Sequence, residues 1–224
     1  LVAFVLLASP AHAQEQPAAA NLSPQDQAAS DAAAAAMAAN ADWPCVQHKQ
    51  PVLTAAQMWD GPQIASEGAT SNDENIRKLV PILVSRRIAT DEVEADVKAF
   101  AQAQPADKRD AKLAELFSAV LAETNLTRSS VVSGIEKFQR RQILRSQKLE
   151  ADGAKLSELL KATDANLKDQ AAAQAAQEAQ SRYDWDARVF QERQQNIPVA
   201  CEIPLLIEQR AFAVAQAIRN LMEH

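Results

Sequence analysis

The chain has 224 residues and a formal net charge of −6, with 23 Lys and Arg against 29 Asp and Glu. That acidic balance predicts no grip on nucleic acid, whose phosphates recruit clustered cations. Four glycines, none clustered, exclude a glycine-rich phosphate loop, and no Glu-x-x-His or Cys-x-x-Cys-His run offers a di-iron or haem site, so no catalytic group and no cofactor is expected.

Residues 1–13 start with the apolar run Leu1 to Ala8, followed by Pro10 and the small-x-small site Ala11-His12-Ala13. This reads as a secretory signal peptide truncated at its start, which places the mature protein in the periplasm. The run is too short to span a bilayer, which takes about 20 apolar residues. Residues 14–41 are low-complexity Ala, Gln, Pro and Ser, read as a tether. A frayed helix from about Gln25 to Ala39 is plausible within it, because Pro24 suits a first helical position and alanine favours helix.

Residues 42–224 read as a single all-α domain, a small helical base carrying a long antiparallel helical hairpin. Cys45 and Cys201 are the two cysteines of the chain, each flanked by prolines in a segment expected to be irregular. In an exported chain such a pair is expected to form one disulfide. Closing so long a loop is worth at most about 4–5 kcal/mol in the chain-entropy picture. The rival reading, a redox or metal site around Cys45-Val46-Gln47-His48, lacks the remaining ligands that zinc needs. His48 is still the one realistic general base.

Leu53-Thr54-Ala55-Ala56-Gln57 is a capping box, with Thr54 as cap and Gln57 reaching back. It also resembles the LTxxQ motif of Spy-type periplasmic chaperones, in a single copy. Asn72-Asp73-Glu74 opens a helix with Ile76, Leu79, Val80, Leu83 and Val84 in one stripe, and Pro81 inside it predicts a kink or break. A second helix opens at Thr90-Asp91-Glu92, with Val93, Val97 and Phe100 on one side. After Pro105 a third has a core face of Leu113, Leu116, Phe117, Val120 and Leu121. Short connections imply antiparallel neighbours.

Residues 127–196 contain no proline and only Gly134 and Gly153 as glycines. Thr127 is the expected cap of the first arm, with Val131, Ile135, Phe138, Leu149, Leu156 and Leu160 on one face. Gln142, Arg145 and Asp152 interrupt that seam. The turn is expected near Asp164, with Thr163 and Asp164 ending one helix and capping the next. Phe190 would then face Phe138, and Ala171–Ala173 would face Leu156. About 34 residues per arm give roughly 50 Å of reach at the helical rise. The alternative is one continuous helix of twice that length.

Lys137, Arg140, Arg141, Arg145 and Lys148 form a basic run on the first arm. Interleaved Glu136, Glu150 and Asp152 make it a solvated or ion-paired face, and Arg140, Arg141, Arg145 and Lys148 are its candidate partner-binding residues. The last helix is expected to follow Pro204. Ile207, Ala211, Val214, Ile218 and Leu221 lie on its core face, widened by Leu205, Phe212, Ala215 and Met222. Glu208, Arg210 and Arg219 keep it from crossing a bilayer.

Asp42-Trp43-Pro44-Cys45, Tyr183-Asp184-Trp185 and Cys201-Glu202-Ile203-Pro204 with Glu208-Gln209-Arg210 resemble segments of exported helical proteins of unknown function from alphaproteobacteria. That resemblance implies a shared fold over residues 42–222 and no activity. The expectation is a non-enzymatic adaptor or scaffold whose arm meets an envelope protein or a second copy of itself. The alternative is a holdase of Skp or Spy type, against which the acidic charge weighs, since Skp-type arms are basic.

Overall fold

A computed structural model describes residues 41–50, 52–64 and 67–222. The expected signal peptide, the tether up to residue 40 and its alanine-rich helix lie outside them. Among the described residues there is no strand, and from Glu74 on five α-helices joined by short turns carry the fold: α1 (Glu74–Val84), α2 (Thr90–Gln102), α3 (Arg109–Ala165), α4 (Gln170–Gln195) and α5 (Ile197–Arg219). The architecture is the base-plus-hairpin read from the sequence, with α3 packed against both α4 and α5, and α1 and α2 closing the base against α3 and α5.

The base forms where the apolar stripes predict it. Ile76, Val80 and Leu83 of α1, Val93, Val97 and Phe100 of α2, and Leu113, Leu116, Phe117, Val120 and Leu121 of α3 meet Ala211, Val214 and Ile218 of α5 in one buried cluster. Leu53, Ala55 and Met58 close it from the amino-terminal side, and Trp59 stacks on Phe117 with ring centroids 4.3 Å apart. In the short 3-10 turn Ala55–Gln57, the Thr54 amide donates to Gln57 Oε1 over 2.8 Å, the reach-back the capping box predicts. Leu205 and Phe212, expected in the core, are instead 44 % and 50 % exposed. They lie on the far side of α5 from Ala211 and Val214, so the buried stripe is narrower than their apolarity suggested.

Three helix ends fall elsewhere than the sequence indicates. No helix starts at Thr127, because α3 runs unbroken through 57 residues, from the core of the base to the tip of the arm. At 1.5 Å per residue that is roughly 85 Å. Thr163 and Asp164 do not end it. Thr163 Oγ1 donates to the Leu159 carbonyl inside the helix at 3.0 Å, and the turn is Asn166–Asp169. The Asp169 carboxylate caps α4, accepting from the Ala172 amide at 3.0 Å.

That later turn shifts the register of the hairpin. Gln142 Nε2 donates to the Phe190 carbonyl and Gln194 Oε1, each at 3.3 Å, and Lys148 meets Asp186 at 2.8 Å. The Phe190 backbone therefore lies against Gln142, one turn beyond Phe138, and the buried alanine of the second arm is Ala176 rather than Ala171–Ala173. The seam is thin: Ile135 and Leu156 are buried, whereas Leu160 is exposed. Gln142, the polar interruption, is 3 % exposed and tolerated because its amide is hydrogen-bonded.

The third shift is at α5, which starts at Ile197 rather than after Pro204. Asn196 alone separates α4 from α5 and keeps right-handed helical angles, so the junction is a bend and not a loop. Pro198 sits in the first turn, where a missing amide costs little, while Pro204 is buried inside the helix. Cys201 therefore lies on a helix, not in the irregular segment expected. Likewise α1 continues past Pro81 to Val84, so no break occurs there.

Two glycines of α3 test the arm packing. A Cβ on Gly134 would meet nothing within 4 Å, whereas one on Gly153 would lie 3.2 Å from the Tyr183 ring. Gly134→Ala is expected to stabilise the protein by about 1 kcal/mol through helix propensity. Gly153→Ala gains measurably less, because its methyl presses on Tyr183. Denaturant midpoints of the two variants check this, and equal gains would contradict the hairpin register.

Candidate functional site

The four basic residues singled out on the arm divide into two pairs. Arg140 reaches Asp42 at 2.8 Å, and Lys148 bridges Asp152 of its own helix at 2.6 Å and Asp186 of α4 at 2.8 Å. Both aspartate bonds hold the Lys148 ammonium above its usual pKa, with Asp152 the larger cause, and the same contact keeps Asp152 below the ordinary carboxylate range. These two cations fasten the arm to its neighbours. Arg141 is exposed and Arg145 half-buried, neither with an ion pair among the described residues, and Leu144, 65 % exposed, stands beside them.

The richest polar constellation lies at the root of the arm. Residues 42–50 and 52–53 run along α3 in the opposite direction as a strap, with a bend at Val46–Gln47. Asp42 meets Arg140, Lys49 pairs with Glu136, and the Gln50 carbonyl accepts from Arg128. The Asn125 side-chain amide bonds both the Leu53 amide and the Leu53 carbonyl, each at 2.9 Å. The Cys45–Cys201 disulfide ties the same strap to α5, with Cα atoms 5.5 Å apart. Arg128 is the centre of this arrangement. It is 4 % exposed and donates from Nε to Glu208 of α5 at 2.8 Å. A buried guanidinium is costly unless paired and hydrogen-bonded, and here it is both.

Asn125 and Arg128 were missed as functional residues in the sequence. The signal was present: they continue the spacing of Leu121 and lead to Val132 and Ile135, so they are polar residues on a face that is otherwise buried. Arg210 works similarly at the far side of the base. Its guanidinium donates to the Ser85 carbonyl at 2.6 Å and to the Ile88 carbonyl, satisfying backbone groups where α1 ends.

A cleft of about 550 Å³ beside α1 is lined by Ile64, Ser71, Asp110, Glu115 and Met222 among others. Ser71 Oγ donates to Glu115 and accepts from the Asp73 amide, and Lys112 bridges Asp73 at 2.8 Å and Glu115 at 2.9 Å. The Lys112 bond keeps Asp73 below its usual value, and the Ser71 hydroxyl, then Lys112, do the same for Glu115. The two carboxylates raise Lys112, Asp73 foremost. A lysine held protonated is no nucleophile, and a carboxylate held ionised is a weak base, so the cluster works as a clamp on the start of α1. His48 is exposed on the strap with no partner among the described residues.

Among the described residues no group of three or more His, Cys, Asp or Glu is arranged to hold a metal ion, and no helix is long and apolar enough to cross a membrane. No family model matches the chain, and neither curated proteins nor solved structures provide a significant match.

The clamp carries a pH dependence. Asp73 and Glu115 have lowered folded values, so their contribution is whole at neutral pH and is lost as pH falls through those values, below the ordinary carboxylate range near 4. Lys112 is raised, so its charge persists through that window and is lost only above its usual alkaline value. Lys112→Met should cost on the order of 1 kcal/mol at pH 7. The cost should shrink as pH falls below the ordinary carboxylate range and the two carboxylates become protonated, as read by urea denaturation along an acid series.

Proposed function

We propose that this chain is a non-enzymatic periplasmic adaptor or scaffold that presents its hairpin arm to an envelope protein. The observation behind this reading is the division of burial along α3. Its first turns fill the core of the base, whereas beyond Gln142 the hairpin buries only Leu156 and Ala176 among its described side chains. Ordering backbone is costly, and a hairpin with so little interior gains little from its own packing. The arm exposes Leu144, Leu160, Leu167 and Trp185, and Leu144 neighbours Arg141 and Arg145, which have no ion pair among the described residues. Apolar side chains mixed with cations suit a protein surface better than a small-molecule pocket. The disulfide and the signal-peptide-like start support the oxidising periplasm as the setting.

A second reading is a holdase of unfolded envelope proteins. It is favoured by Leu167, 84 % exposed at the turn of the hairpin beside the alanines of α4. Photo-crosslinking in the native cell from Gln147 and Gln174, both exposed, separates the two. One recurrent envelope protein is the expected adduct. A broad ladder of unfolded clients would replace the adaptor with the holdase, and self-adducts alone would replace the envelope protein with a second copy.

A further inference from the structure

Among its described residues the strap has no fully buried side chain before Leu53, the first core side chain on this side, although Trp43 and Pro44 are half-buried. Among the described residues, its ion pairs and hydrogen bonds to the rest of the protein before Leu53 are Asp42–Arg140, with side chains 36 % and 52 % exposed, Lys49–Glu136, and the carbonyl of Gln50 on Arg128. The Asp42–Arg140 pair contributes little, because water and salt screen it and long side chains must be ordered to make it, whereas Lys49–Glu136, with side chains 28 % and 17 % exposed, is screened less. Against them stands the conformational entropy of the whole segment.

The position of the strap gives it a mechanical role. The last residue of α3 in the core of the base is Leu121, and the side-chain hydrogen bonds to α4 begin at Gln142. The strap contacts α3 at Asn125, Arg128, Glu136 and Arg140, across the stretch between them. It therefore splints the helix where the helix leaves the base.

We propose that the Cys45–Cys201 disulfide is a redox-sensitive latch on this strap, and that its reduction releases residues 41–52 from α3 while the base stays folded. The inference is independent of what the arm binds. A dithiol reductant supplies the two electrons. Its thiolate attacks Sγ of Cys45, the less buried partner, since Cys201 is only 8 % exposed. A mixed disulfide forms at Cys45, and Cys201 leaves as a thiolate and takes up a proton. The second thiolate of the reductant then attacks its own sulfur in the mixed disulfide, and Cys45 leaves as a thiolate and is protonated. The reductant ends as a disulfide and the protein as two thiols. Release takes the Gln50 carbonyl from Arg128, which keeps Glu208, and leaves Glu136 and Arg140 without their strap partners.

Limited trypsin digestion and hydrogen–deuterium exchange on the full chain, with and without dithiothreitol, test this. Cleavage after Lys49, which Glu136 holds in the oxidised protein, should be at least tenfold faster after reduction, and amides of 125–140 should exchange faster by a smaller factor. Amides of α1, α2 and residues 113–121 should keep their protection. Unchanged cleavage after Lys49 would overturn the proposal, since the polar contacts would then suffice. A rise in exchange through α1 and α2 would overturn it too, because the bond would then hold the whole fold. An oxidised Glu136→Gln, Arg140→Ala variant provides the second check. It should keep Lys49 resistant, and cleavage as fast as that caused by reduction would assign the hold to the polar row instead of the disulfide.

Discussion

The constraint on which the structure depends is the continuity of α3. A single helix supplies the centre of the base and the first arm of the hairpin, so the direction of the arm is set by how Leu113 to Leu121 pack. No hinge of proline or glycine separates the two roles, because the next glycine is Gly134, well inside the arm. Helices of this length gain little from propensity alone and need partners along their sides. Here the partners change along the axis: α1 and α5 at the base, α5 and the strap in the middle and α4 towards the tip.

Polar chemistry accumulates where the partners change. Between the core of the base and the thin seam of the hairpin, the buried apolar face of α3 narrows to Val132 and Ile135. Asn125, Arg128, Glu136 and Arg140 add polar contacts there, each meeting a specific group on the strap or on α5. Apolar contacts tolerate sliding, whereas a buried guanidinium or a two-point amide contact accepts one geometry. The Cys45–Cys201 bond adds a covalent limit on the same segment. These contacts fix the place of the strap, and Gln142 does the same for the hairpin by bonding the backbone of α4 from inside the seam.

Much of the fold was legible because its signals are local and periodic. The stripes of α1, α2 and the base part of α3 give the core directly, and two cysteines in a chain with an export-like start give the disulfide. The errors share one cause. Thr127, Thr163 with Asp164, and Pro204 are good local stop or start signals, and each lies inside a helix because surrounding packing outweighs a cap or a lost hydrogen bond. Leu205 and Phe212 were misplaced by apolarity alone, since a helix face is buried only where another element covers it. The basic patch was legible as a cluster. That Arg140 and Lys148 have ion-pair partners among the described residues while Arg141 and Arg145 do not depends on Asp42 and Asp186, which are remote in sequence. Arg128 and Asn125 were hidden for the same reason, because their partners lie more than seventy residues away.

The base, the arm and the strap at their junction all meet on α3. The central claim is that base and arm share one uninterrupted helix. Residual dipolar couplings of the α3 amides in weakly aligned full-length protein test it most directly. The account predicts that residues 113–121 and 145–158 fit a single helix-axis orientation with one alignment tensor. Two orientations, or couplings of the arm averaged towards zero relative to the base, would show a joint near residues 122–141 and contradict it.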